Sequence, residues 1–137
     1  MIKEICKDQF ILSQVSNDAT IDDLSVANDL LDTLKYNESR CVGMAANMIG
    51  VLKNIIAIND NGKYLVMINP KIIDKSKTTY KTMEGCLSHI GEKETKRYYF
   101  VKVEYLDMKF KKTIKKFDGF TAQIIQHEID HLNGVLI

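Results

Sequence analysis

One proline, three histidines, three cysteines and a net charge of only +1 are spread over 137 residues, and each shortage excludes something. A chain with a pI of about 7.7 has no overall electrostatic pull toward nucleic acid or a membrane surface. No specific nucleic-acid partner and no membrane association are therefore expected, and the partners should be small. No apolar run approaches the roughly 20 residues of a membrane span. An odd number of cysteines, with no apolar N-terminal run behind a basic segment, argues against a secreted disulfide framework and for a reducing interior. The expectation is a cytoplasmic protein. With 45% hydrophobic residues and no internal repeat or low-complexity linker, residues 1–137 read as a single domain with one modest core.

Histidine is scarce, yet two of the three lie in Gln126-His127-Glu128-Ile129-Asp130-His131. On a helix turning about 100° per residue, His127 and His131 stand one turn apart on one face, with Glu128 beside them. This is the His-Glu-x-x-His arrangement, in which two neutral imidazoles bind a divalent cation and the carboxylate serves as general base toward water. A third protein ligand is needed, and only Leu132 to Ile137 follow, none of them a ligand. It must lie upstream: Cys6, Cys41, Cys86, His89 or a carboxylate. Cys86 in Glu84-Gly85-Cys86-Leu87-Ser88 is the best placed by chemistry, because the cation would stabilise its thiolate and the glycine permits an unusual backbone. His89 reads as a surface or pocket-rim residue, since a catalytic metal keeps one position open.

The rest of the chain suggests an α+β fold, with antiparallel strands packed around the C-terminal metal-binding helix and an amphipathic helix near the N-terminus. Thr20 and Asp23 can form a shortened capping box, after which Leu24, Ala27, Leu30, Leu31 and Leu34 recur at helical spacing to about Tyr36. Asn54 to Asn59 and Tyr64 to Ile68 read as a hairpin across Asp60-Asn61-Gly62-Lys63. Pro70 should end its second strand, with a further strand from Lys71 to Lys81 turning at 74–77. Arg97 to Leu106 alternates as one strand. Five lysines between Lys109 and Phe117 would either touch ribosomal RNA transiently or guard an exposed strand edge, and edge protection is preferred. Asp118 can cap the last helix and Gly134 can end it in the left-handed region. On that helix Phe120, Ile124, His127 and His131 form one stripe, so an apolar surface continues from the metal ligands. Asp130 points off the stripe and reads as an ion-pair partner. Cys41 to Gly50 carries two glycines and two alanines, which suit either a tightly packed strand or the close approach of a substrate.

Glu84-Gly85-Cys86-Leu87-Ser88, followed by Gln126-His127-Glu128-x-x-His131 and preceded by Gly43-Met44-Ala45-Ala46, resembles the peptide deformylase family. The three motifs occur in the family's order and cover most of the chain. The resemblance implies a hydrolase that removes the formyl group from the N-terminal formylmethionine of newly made peptides, with Cys86, His127 and His131 holding one divalent ion. That ion would be Fe2+ by resemblance, although the donor set also suits Zn2+, Ni2+ or Co2+. Glu128 would be the catalytic base and the backbone NH of Leu87 an oxyanion donor. Gly43 and Met44 would offer main-chain groups to an extended peptide and Arg97 would lie beside it. Val42, Phe120, Gln123 and Ile124 would line the methionine pocket.

The sequence also departs from the family pattern. Cys41 stands where the first motif usually begins with glycine, and Met48 where a glutamine amide usually helps hold the oxyanion. Methionine cannot donate a hydrogen bond, which implies weakened catalysis or a substitute donor. The alternative is a deformylase-like protein with weak or no turnover that binds blocked peptide N-termini; an intact Glu128 argues against it.

Overall fold

Ile55 to Ile58 are apolar at every position and buried on both sides of the backbone, and the computed structural model shows what covers each side. It describes residues 1–137 apart from the side chain of His89, so the expectation for that side chain lies outside the described residues. The elements in chain order are α1 (Gln9–Leu12), α2 (Leu24–Tyr36), β1 (Gly43–Ala45), β2 (Ile55–Asp60), β3 (Lys63–Lys75), β4 (Thr79–Cys86), β5 (His89–Tyr98), β6 (Phe100–Leu106), β7 (Lys112–Asp118) and α3 (Gly119–Leu132). Five strands form an antiparallel sheet in the order β1-β2-β3-β6-β7, and β4 and β5 form a separate hairpin. Successive side chains on a strand point to opposite faces. Ile56 and Ile58 therefore join Ala122, Ile125 and Leu132 of α3 in one core, whereas Ile55 and Ala57 join Leu30 and Leu34 of α2 in another. The sheet is sandwiched between the two helices, an α+β architecture as expected.

Local chemistry accounts for most of the boundaries. The NH of Thr20 donates to the Asp23 carboxylate at 2.8 Å, ahead of α2. Asn61 and Gly62 take φ of 52° and 93°, the two positive values that a tight hairpin turn requires, with Asp60 opposite Lys63. At the end of α3, the NH of Gly134 (φ 77°) donates to the His131 carbonyl and that of Val135 to the Asp130 carbonyl. These two bonds satisfy carbonyls that the helix leaves open. Asp118 takes the cap position of α3, but its side chain makes no capping bond. β7 is a sheet edge, so Lys112, Lys115 and Lys116 stand where lysines guard an exposed strand.

Three boundaries differ from the sequence expectations. Pro70 does not end its strand: β3 runs on to Lys75 through a register shift between Ile68 and Lys71. Asn69 takes φ 51° at that irregularity, where a missing NH breaks no regular ladder. The following turn lies at 76–78, not 74–77. The expected strand from Arg97 to Leu106 is divided at Tyr99, where the chain passes from the hairpin to the main sheet and the Tyr99 NH is caught by Ser76 Oγ at 2.8 Å. Both segments are extended, so alternation alone cannot reveal the change of partner. Among the described residues no helix is long and apolar enough to cross a membrane.

Candidate active site

β4 ends in Glu84-Gly85-Cys86, and the two-residue period of a strand sends Glu84 and Cys86 to the same face. That face meets the middle of α3. Sγ of Cys86 and ring nitrogens of His127 and His131 all lie within 4.8 Å of one another, and the Nε2 atoms of the two histidines are 2.9 Å apart. The two imidazoles are thus one turn apart as the sequence spacing predicts, and Cys86 is the upstream group brought to them.

A layer of polar contacts stands behind these three side chains. Nδ1 of His127 lies 2.7 Å from Oε1 of Glu84, and an Nδ1–H donated to that carboxylate leaves Nε2 as the coordinating atom. Arg97 donates through Nε and Nη2 to Glu84 at 2.9 and 2.6 Å, and through Nη1 to Asp130 at 2.6 Å. Burial alone would raise the Glu84 carboxyl, but Arg97 and His127 outweigh it and hold the group down at about 2. For His127, burial opposes the charged form, while hydrogen bonds to Cys86 and Glu84 and the Glu128 charge lift it to about 10.

Glu128 is 4% exposed. Burial is the main cause that pushes its carboxyl up to about 7, with the His127 charge acting in the opposite direction. Its Oε1 has no hydrogen-bond partner among the described residues. An unpaired buried carboxylate oxygen costs stability, so its retention beside the Cys86, His127 and His131 group points to chemistry. Gly43 allows the approach: a Cβ there would lie 2.7 Å from Ile124 Cγ2 and 2.9 Å from Glu128 Oε2.

A cavity of about 470 Å³ opens onto this group. Val42, Gly43, Leu87, Phe120, Gln123 and Ile124, all expected at the site, line it. Met44 is fully buried in the core on the α2 side, so only its main chain could meet a ligand at β1. Arg97 departs from expectation: it is 4% exposed and is not part of the cavity wall. Its guanidinium is engaged by Glu84 and Asp130, the latter serving as the ion-pair partner that was expected. Met48 does line the cavity, with Sδ 4.0 Å from Cys86 Sγ, and so brings a thioether where the family pattern has an amide.

Three supporting residues had no role in the sequence reading. Glu84 orients His127, and its place two residues before Cys86 was the available signal. Gln126 reproduces a strand partner: its amide accepts from the Tyr98 NH at 2.7 Å and donates to the Tyr98 carbonyl at 3.0 Å, tying the hairpin to α3. Asn47 donates to the His131 carbonyl at 2.8 Å. Nothing local in the sequence marks those last two contacts.

The donor set fits a divalent metal ion. One thiolate and two imidazoles suit zinc, cobalt, nickel or ferrous iron, the carboxylate behind His127 is a usual support for a ligating histidine, and the buried carboxylate of Glu128 shares the cavity wall with Cys86 and His127.

The profile of the family described as "Polypeptide deformylase" matches residues 2–137. A peptide deformylase from Clostridium beijerinckii is 52% identical over 137 residues, the whole of both chains. A class I type b peptide deformylase from Acinetobacter baumannii, solved with Met-Ala-Ser bound, is 29% identical with a TM-score of 0.89, the match covering 99% of this chain and 97% of that one. The peptide deformylase from Thermotoga maritima is 26% identical with a TM-score of 0.90, covering 99% and 95%. Agreement of this extent in sequence and in shape means that the chain belongs to the polypeptide deformylase family.

Proposed function

We infer that this chain is a metal-dependent hydrolase that removes the formyl group from the N-terminal formylmethionine of newly made peptides. The observation that carries the reading is the convergence of Cys86, His127 and His131 within 4.8 Å beside the buried carboxylate of Glu128, whose Oε1 has no hydrogen-bond partner among the described residues. The match to peptide deformylases over the whole chain supplies the substrate class, and the relative solved with Met-Ala-Ser bound agrees with a peptide beginning in methionine. The relatives give the binding-only alternative no support. A cytoplasmic setting and a single domain spanning residues 1–137 belong to the same reading.

Cys86, His127 and His131 would hold the ion, taken as Fe2+ on the family resemblance. When bound, it supplies Lewis-acid polarisation of the formyl carbonyl. Glu128 accepts a proton from the attacking water and returns it to the departing amine, so that water and formamide become formate and a free methionine amine. Burial raises the Glu128 carboxyl above its ordinary range, which favours its holding the proton between the two transfers. The NH of Leu87 would donate to the developing oxyanion. Val42, Phe120, Gln123 and Ile124 would bound the methionine side chain, and the main chain of Gly43 and Met44 would align the peptide.

Turnover of formyl-Met-Ala-Ser is the test, measured anaerobically for wild type and Glu128→Ala with metal content determined for both. Equal metal with a loss of about 10²-fold or more in kcat supports the base role. Equal rates would remove Glu128 from the mechanism, and no turnover by metal-loaded wild type would overturn the function. The iron assignment has its own test. Activity should fall in air and return on reconstitution with nickel or cobalt, and an aerobic preparation equal to the anaerobic one would exclude an oxygen-sensitive ferrous site.

A further inference from the structure

Besides the thiols of Cys41 and Cys86, the cavity wall holds one arginine, one histidine and two carboxylates: Arg40, His127, Glu84 and Glu128. Three cluster at the base, where Glu84 is matched by Arg97 and His127, and Glu128 is buried. Arg40 is different. It is exposed and takes part in no ion pair among the described residues. It is nevertheless held in place. Asn37, 4% exposed at the end of α2, donates from Nδ2 to the Thr33 carbonyl at 2.8 Å and accepts from Arg40 Nη2 at 3.0 Å. A buried amide therefore steadies one arm of a guanidinium whose remaining donors are available for a planar anion.

The position of Arg40 along the chain sets the distance from the chemistry. Gly43 abuts Glu128, and Arg40 precedes it by three residues, a span of at most about 10 Å of extended chain. Arg40 lines the same cavity, so a peptide with its first residue at the base and its chain running toward Arg40 would bring its second or third residue to that place. We propose that Arg40 is a specificity residue that selects peptides carrying an aspartate or glutamate at the second or third position. The inference rests on the deformylase reading for its choice of a peptide as occupant.

C-terminally amidated peptides remove the competing terminal carboxylate from the test. The ratio of kcat/KM for formyl-Met-Ala-Asp-amide over formyl-Met-Ala-Lys-amide, and for the pair with Asp or Lys second, should reach about tenfold at low salt in one series or both and shrink as salt is raised. Arg40→Gln should bring the ratio close to one and Arg40→Glu should invert it. Lys71→Gln, which removes a like charge that is not part of the cavity wall, should leave it unchanged. A wild-type ratio near one in both series, or a preference that persists in Arg40→Gln, would overturn the proposal. Direct binding of the unformylated products Met-Ala-Asp-amide and Met-Ala-Lys-amide separates the two readings. Charge-dependent binding without turnover would keep Arg40's role and reject the hydrolase, whereas turnover without charge dependence would do the reverse. Neither turnover nor charge-dependent binding would reject both.

Discussion

Arg97 grips Glu84 with two nitrogens, at 2.9 and 2.6 Å, although the residues are 13 positions apart and sit on neighbouring strands. Both side chains are almost fully buried, with exposures of 5% and 6%. Glu84 in turn holds His127, so the arginine acts on the candidate metal site through one intermediate carboxylate. The family resemblance implies an arginine beside the peptide, whereas here its side chain is buried against Glu84 and Asp130, behind the candidate site.

Removing that arginine should be costly. Arg97→Ala leaves Glu84 buried without its main partner, a change worth about 3–5 kcal/mol of stability, and Arg97→Lys should recover only part because an ammonium cannot reproduce the two-pronged contact. Urea unfolding of the two variants checks this. The pH dependence has a definite sign. The folded Glu84 carboxyl is held at about 2, below its ordinary 4.5, so its stabilisation is fully present above pH 4.5 and is lost as pH falls through about 2. Acid unfolding of Arg97→Ala should therefore begin at higher pH than in wild type.

Metal uptake should release protons. His127 is lifted to about 10, yet an imidazole must be neutral to coordinate. Affinity for Zn2+ or Ni2+ should therefore rise as pH increases from 6 toward 9, by up to about tenfold per unit for each proton displaced. Calorimetry in buffers of different ionisation enthalpy counts those protons. An affinity flat across this range would contradict the charged state assigned to His127.

Met48→Gln should raise kcat. The thioether lies 4.0 Å from the Cys86 sulfur and is 1% exposed, so an amide there would restore a hydrogen-bond donor close to the reacting carbonyl. Loss of one such donor costs on the order of 10²–10³ in rate, and a gain of about tenfold or more is expected at equal metal content. A slower variant would show that the site has been rebuilt around the sulfur.

Gly134→Ala should destabilise the chain without touching the chemistry directly. The residue sits at φ 77°, and an added Cβ would collide with the carbonyl of Ser13, a backbone group that cannot swing aside. The strained backbone alone costs about 1 kcal/mol, and the collision adds to it. A lowered Tm with metal stoichiometry retained is the expected result.

Some of this protein is legible residue by residue. The separation of His127 from His131 follows from helix geometry, the hairpin at Asn61-Gly62 from the tolerance of those two residues for positive φ, and the choice of Cys86 from the affinity of a thiolate for a cation. Each depends on neighbours within one turn of helix or strand, or on the intrinsic chemistry of a side chain. The three motifs in order were enough to suggest the family.

Other features were settled only when distant segments met. Where β5 yields to β6, what Arg97 holds, why Gln126 precedes the first histidine and why Gly43 must lack a side chain all depend on contacts across 13 to 85 positions of chain. An arginine or an amide looks the same in sequence whether it faces a substrate or a buried carboxylate. Burial decides between those fates, because a charged group removed from water requires a partner, and only the folded chain determines which partner is within reach.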